Sequence, residues 1–240
     1  MSAILNKLKD DKEYYHGIGK KYVSNSDISA LLTNPKLFGV SRPDNANFAK
    51  GRLFHQMLLE PSKEFDTLIV DASSRNTKKY KEALTDEHPF GLLVKEIEEV
   101  KAMVYAVAEN FDFYTSIMGT EHEVPAIGEL FGVPVKGKAD MVGEFDIFDL
   151  KTTRNIHEFK WTAKRYNYDS QAYIYQELFG KPMTFLCICK ESLQTASFVC
   201  SEHFVEGGRD KVERAAEQYR RFFGENPTED IGSYYHTDTL

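Results

Sequence analysis

Two glycine breaks, at Gly132 and at Gly143-Glu144, cut the stretch from Glu123 to Leu150 into three strand-like runs, and this constrains the fold more than any other feature of the chain. The runs span 123–131, 133–142 and 145–150, and turns this short join antiparallel neighbours. Side chains alternate faces along a strand, so Asp149 and Lys151 point one way while Phe148 and Leu150 point the other. The second run carries Gly137-Lys138-Ala139-Asp140, which sets Asp140 on the adjoining strand. Phe145, Ile147, Phe148 and Leu150 make the third strand apolar enough to be central. Charges on a central strand need a reason to be tolerated.

Around these strands the spacing predicts helices. Ser24-Asn25-Ser26-Asp27 opens one that Asn34-Pro35 stops, giving a helix over 25–33. A second runs over 45–60 to Pro61, followed by a strand at 65–70 and a short basic helix at 76–85. Leu92, Leu93, Ile97, Val100, Val104 and Val107 follow helical spacing and predict one long helix closed by Gly119. Beyond the three strands come helices at 156–165 and 169–179, strands at 183–190 and 194–203, and a helix opened by Gly207-Gly208 that reaches about 223. The order predicts an α/β domain with a mixed central β-sheet flanked by helices. Residues 1–91 read as a mainly helical N-terminal extension, 92–223 as the core, and 224–240 as a loosely held tail. A chain of 240 residues with 42% hydrophobic content can bury one such core.

The formal charge of -7 argues against a protein that coats nucleic acid, but distribution matters more than the sum. From Lys151 to Tyr168 five bases (Lys151, Arg154, Lys160, Lys164, Arg165) face one acid, Glu158, and Arg75 to Lys81 holds four bases and no acid. A local site for an anionic polymer and a solvated helix face would both look like this. Charges interrupt the first ten residues where a secretion signal needs its apolar core, and no apolar run approaches the roughly 18 residues of a membrane span, so a cytoplasmic protein is expected. The three cysteines, Cys187, Cys189 and Cys200, suit a reducing compartment. Cys187 and Cys189 share a strand face and read as small core residues.

Two acids and a lysine on neighbouring strands suit hydrolysis of a phosphodiester. Magnesium takes oxygen ligands, typically one or two carboxylates with waters and phosphate oxygens, and Asp140 and Asp149 would supply them, with the Leu150 carbonyl as a further oxygen. Lys151 would orient or deprotonate the attacking water and offset charge in the transition state. Surface ion pairs on a hairpin are the alternative. Gln171 and Tyr175 lie one helical turn apart and could hold a phosphate or the scissile strand, although the tyrosines around them also suit packing. Upstream, Gly51 would let another backbone approach, Arg52 could hold a phosphate, and His55 could be a metal ligand or an acid-base group.

Taken together, G-x-x-x-H at Gly51 to His55, G-K-A-D at Gly137 to Asp140, D-L-K-T-T at Asp149 to Thr153 and Q-x-x-x-Y at Gln171 to Tyr175 resemble the PD-(D/E)xK nuclease superfamily. The resemblance is closest to its recombination-exonuclease branch, typified by exodeoxyribonuclease VIII. It implies a magnesium-dependent enzyme, with manganese as substitute, that degrades linear double-stranded DNA 5′ to 3′ and leaves a 3′ strand for a recombinase or single-strand annealing protein. His55, Asp140 and Asp149 would be metal ligands, Lys151 the catalytic lysine, Gln171 and Tyr175 active-site supports, and Glu129 a further acid. Arg52, Arg154, Lys160, Lys164 and Arg165 would meet DNA. A homo-oligomer, in ring form in this branch, and a phage origin are also implied. The first motif is Ala-Asp where Pro-Asp is common. With no cysteine before Cys187, the iron-sulfur cluster of some relatives is not expected. A structure- or end-specific endonuclease or repair nuclease, and a catalytically silent DNA-end-binding protein, are the alternatives.

Overall fold

A computed structural model describes residues 2–41, 43–65 and 67–237. The N-terminal part is helical: α1 (Ser2–Leu8), α2 (Asp11–Tyr15), α3 (Asn25–Thr33) and α4 (Ala46–Leu59) precede β1 (Leu68–Val70), α5 (Lys78–Ala83) and β2 (Gly91–Leu93). Then follow α6 (Val94–Glu109), α7 (Phe111–Ile117), β3 (Glu121–Leu130), β4 (Val133–Val142), β5 (Ile147–Thr153), α8 (Phe159–Arg165), α9 (Tyr168–Phe179), β6 (Met183–Cys189), β7 (Thr195–Val199) and α10 (Glu202–Phe222). The main sheet has the order β3-β4-β5-β6-β7, with β5 and β6 parallel and every other neighbour antiparallel. The expected mixed sheet flanked by helices is therefore present.

Local chemistry sets these elements. Phe131 and Gly132 both take positive φ, 51° and 72°, which turns β3 into β4 in two residues and matches the twist of the paired strands. The Asp27 carboxylate accepts the Ser24 N–H at 2.8 Å and starts α3, and Asn45 accepts the N–H groups of Asn47 and Phe48 to start α4. One face of the sheet packs on α3, α9 and α10 through Leu31, Val135, Ala139, Ile174 and Ala215. The other face packs on α4, α6 and α7 through Phe54, Val100, Phe113, Met141 and Leu150.

Three expectations need correction. The single long helix from Leu92 to Gly119 is two helices, because the Asn110 side chain accepts the Phe113 N–H at 2.9 Å and caps α7 anew. Leu92 and Leu93 belong to β2, which pairs in parallel with β1. Gly207-Gly208 does not open the last helix: α10 starts at Glu202, capped by Ser201, and the glycines lie inside it. A Cβ on Gly208 would sit 2.0 Å from the Asp169 carbonyl oxygen, so this glycine lets α10 lie against the backbone of α9. Gly208→Ala is expected to cost about 2–3 kcal/mol, read as a lower urea midpoint. An unchanged midpoint would mean that the helices are free to separate.

The stretch read as a loosely held tail makes several contacts. Thr228 N–H donates to Arg221 O at 3.0 Å, Arg221 pairs with Glu229 at 2.7 Å, and the Tyr234 ring lies against Phe222. Position 66 of the expected 65–70 strand and positions 238–240 of the tail lie outside the described residues. Cys187 and Cys189 are buried in β6, as packing residues would be. No helix among the described residues is long and apolar enough to cross a membrane.

Candidate active site

The site lies where β4 and β5 part. These strands pair only at Met141–Phe148 and Val142–Ile147, after which β5 stays registered with β6 while β4 stays registered with β3. The Asp140 carboxylate bridges the opening, accepting the Leu150 N–H at 2.7 Å. N–H and C=O of one strand residue leave the same edge, so the Leu150 carbonyl also belongs to the β4 side, where the sequence placed a metal oxygen.

Asp140 also meets His55. Its Oδ2 lies 3.3 Å from Nδ1 of this histidine, which α4 carries over the sheet through the buried Leu53, Phe54 and Leu59 beside it. Asp149 is fully enclosed, touching the Lys151 ammonium through one oxygen and accepting from Gln171 Nε2 at 2.5 Å through the other. Lys151 also lies over the Tyr168 ring, 4.8 Å from its centroid. His55, Asp140, Asp149, Lys151 and Gln171 thus converge from α4, β4, β5 and α9.

The remaining predicted residues divide. Tyr175 is buried and donates its hydroxyl to the Lys138 carbonyl at 2.8 Å, so it fixes β4 and keeps no free hydroxyl for a phosphate. A Cβ at Gly137 would meet its ring at 2.7 Å, which explains the glycine before Lys138. Gly51, by contrast, has no heavy atom within 4 Å of where a Cβ would stand, so no close backbone approach requires it. The Arg52 guanidinium is held by both oxygens of Asp44 on the flank of α4. Arg154, Lys160, Lys164 and Arg165 are exposed around α8. Glu129 is exposed and opposes Pro134 at the far end of the hairpin, away from Asp140.

The acid that joins the site is Glu123, which the sequence reading passed over. The pairs His122–Met141 and Val124–Ala139 place it directly across from Asp140. Its φ of 51° is left-handed, unusual for a non-glycine residue inside a strand, and re-aims the chain at that point. Met141 packs on the α4 face while Ala139 packs on the α9 face, and the His122 ring nitrogen bonds the Leu59 carbonyl of α4 at 2.8 Å. Ligand atoms of His55, Glu123 and Asp140 all lie within 4.8 Å of one another.

Electrostatics separates these groups. Burial and the Asp140 charge push Glu123 up to about 7. Burial and Asp140 likewise push Asp149 up to about 6, against the pull of Lys151. Burial alone would raise Asp140 too, but His55, Lys151 and the Leu150 N–H outweigh it and hold its carboxyl below the usual range. Burial opposes a charged His55, yet Asp140 raises it. Burial also opposes a charged Lys151, and Asp149 overcomes it. Lys151 is therefore an ammonium ion at neutral pH, suited to orienting water and stabilising negative charge, and deprotonating water is not a role this charge state gives it.

Opposed carboxylates crowded into a buried site are relieved either by a proton on one of them or by a cation between them. Two acids and an imidazole within reach of one another, with a backbone carbonyl at the strand opening, fit a divalent ion with mixed oxygen and nitrogen ligands. The donor set therefore fits a metal site, with Glu123 added to it and Glu129 removed.

Comparison with known proteins agrees with this architecture. The crystal structure of a candidate exonuclease from Eubacterium rectale superposes with a TM-score of 0.68 over 88% of this chain and 85% of that one, at 18% identity. A phage-related exonuclease from Haemophilus somnus 129PT covers 83% of this chain and 94% of its own, at 14% identity and a TM-score of 0.36. No curated protein sequence matches. A family model described as "PDDEXK-like domain of unknown function (DUF3799)" matches residues 35–227, which contain His55, Glu123, Asp140, Asp149, Lys151 and Gln171. The chain belongs to this PDDEXK-like family.

Proposed function

We propose that this chain is a metal-dependent deoxyribonuclease that hydrolyses linear double-stranded DNA from 5′ ends and leaves 3′ single-stranded tails for recombination. The observation that carries the reading is the meeting of Asp140, Asp149 and Lys151 at the β4–β5 opening with His55 and Glu123 beside them. Bound there, magnesium, or manganese in its place, would polarise a phosphate oxygen and lower the pKa of a bound water. His55, Glu123, Asp140, Asp149 and the Leu150 carbonyl are the groups that would hold it.

The chain's own residues do the rest. Lys151 presents a fixed positive charge where the phosphate gains negative charge, in surroundings that water does not screen. Gln171 holds Asp149 through one oxygen and leaves the other to Lys151, which fixes the lysine's direction. Tyr175 holds the β4 backbone next to Asp140. Exonuclease action, its polarity and its place in recombination rest on the four-motif resemblance. The same resemblance supports a homo-oligomer, ring-shaped in this branch, and an annealing protein or recombinase as partner.

Linear duplexes labelled at the 5′ or the 3′ end, incubated with magnesium, with manganese and with chelator, test this reading. The 5′ label should leave first, chelator should stop its release, and covalently closed circles should remain intact. Earlier release of the 3′ label would reverse the polarity, and equal cutting of closed circles would sink end dependence. DNA-end binding with no nucleotide released in either metal would make the chain a binding protein.

A further inference from the structure

A second surface, outside the metal-binding groups, begins at the catalytic lysine. Lys151 lies over the Tyr168 ring, and the Tyr168 and Tyr166 ring centroids are 6.0 Å apart. The Arg165 guanidinium in turn stands 5.1 Å from the centre of the Tyr166 ring. One turn back along α8, on the face that Arg165 and Lys164 share, is Trp161. Trp161 is 71% exposed and Tyr166 is 56% exposed. The Lys160 ammonium sits 4.8 Å from the Trp161 ring centre.

Several cations elsewhere on this acidic chain are neutralised: Lys50 by Glu99, Arg52 by Asp44, Lys63 and Lys138 by Asp11, Arg75 by Glu96, Lys211 by Asp169. Arg154, Lys160, Lys164 and Arg165 make no ion pair among the described residues. Unneutralised cations interleaved with exposed rings match a strand that carries both phosphates and open base faces. Paired duplex offers the phosphates but keeps its base faces stacked.

We propose that Trp161 and Tyr166, with Lys160, Lys164 and Arg165 beside them, form a stacking platform for unpaired nucleotides of a DNA strand next to the catalytic centre. The platform extends the nuclease reading and rests on it for the identity of its ligand. Bases stack on the two rings while the cations follow the backbone, so the surface accepts any sequence. A strand held there is kept apart from its complement within reach of Lys151.

Trp161 is the only tryptophan of the chain, so its emission reports on this surface alone. The full-length protein is titrated in chelator with a single-stranded oligo(dT), a 3′-tailed duplex and a covalently closed circular duplex, while anisotropy of a labelled copy of each linear DNA measures binding independently. Oligo(dT) and the tailed duplex should quench the emission saturably, and the closed circle should leave it nearly unchanged. Trp161→Ala should weaken oligo(dT) binding by roughly tenfold or more, Trp161→Phe should restore most of it, and Tyr166→Ala should reduce quenching with the reporter intact. If oligo(dT) binds by anisotropy while Trp161 emission stays constant, or Trp161→Ala binds as tightly as the parent, the platform is overturned and the nuclease reading stands. If neither binding in chelator nor hydrolysis in magnesium is seen, both fall together.

Discussion

Replacing Lys151 with alanine is expected to lower kcat on linear duplex DNA by about 10²–10³, with a much smaller change in KM. The reason is the charge state and setting of this lysine. Burial disfavours its charge, yet Asp149 and Asp140 keep it an ammonium ion, so its positive end is fixed before substrate arrives. A charge fixed in a site screened from water needs no reorganisation when negative charge develops on the phosphate. The variant also leaves Asp149 without the group that holds its pKa down, so that carboxylate gains proton affinity and serves less well as a metal ligand. Lys151→Arg should recover only part of the activity, because a planar guanidinium cannot place one compact charge between Asp149 and Tyr168. Rates measured under saturating metal, beside circular dichroism to establish folding, check this. A folded Lys151→Ala protein within tenfold of the parent would remove the lysine from the chemistry.

How much of this site was legible in the sequence follows from the range of the interactions that make it. Asp149 and Lys151 share a face through strand alternation alone, and Gln171, on α9 beyond the intervening α8, joins them by its hydrogen bond to Asp149. The Glu123–Asp140 meeting needed one further step. The two-residue turn at Phe131-Gly132 sets the register from Leu130–Val133 onward, which puts Glu129 beside Pro134 and Glu123 across from Asp140. Counting along the hairpin would have found the pair. The left-handed φ at Glu123 had no signal, since nothing about a glutamate in a strand calls for it.

In the fold, the break at Asn110 and the β1–β2 pair were hidden for different reasons. Apolar spacing continues across Asn110, so periodicity cannot see the new cap, and the β2 strand depends on a parallel partner far back in the chain. Gly207-Gly208 misled because glycine usually marks a helix end. Here it marks the place where two helix backbones touch.

Glu123→Gln is expected to make the metal-free protein more stable while making it a poorer nuclease. Like charges directly opposed across a hairpin repel, and Glu123 faces Asp140 in a partly buried setting from a left-handed backbone position. Burial, then Asp140, lifts its folded pKa to about 7 from an ordinary 4.5. Between those values the folded state binds more protons than the unfolded one, so this group's contribution to stability falls as pH rises through about 7 and is lost above it. The sign is opposite to that of an ion-paired acid. Its cost at pH 8 is of order 2 kcal/mol, or roughly 5 °C in Tm for a domain of this size. Glutamine keeps the shape and removes the charge, so Glu123→Gln should raise the metal-free Tm at pH 8 by about that much and leave it little changed at pH 5. Manganese or magnesium should stabilise the parent more at pH 8 than at pH 6, because a proton must leave Glu123 before it can ligate. The variant should show a smaller metal-induced shift with less pH dependence, and at least a tenfold loss of hydrolysis. Thermal unfolding with and without metal at the three pH values decides the matter: a variant no more stable than the parent at pH 8, with an undiminished metal shift, would show that Glu123 stands outside the metal centre.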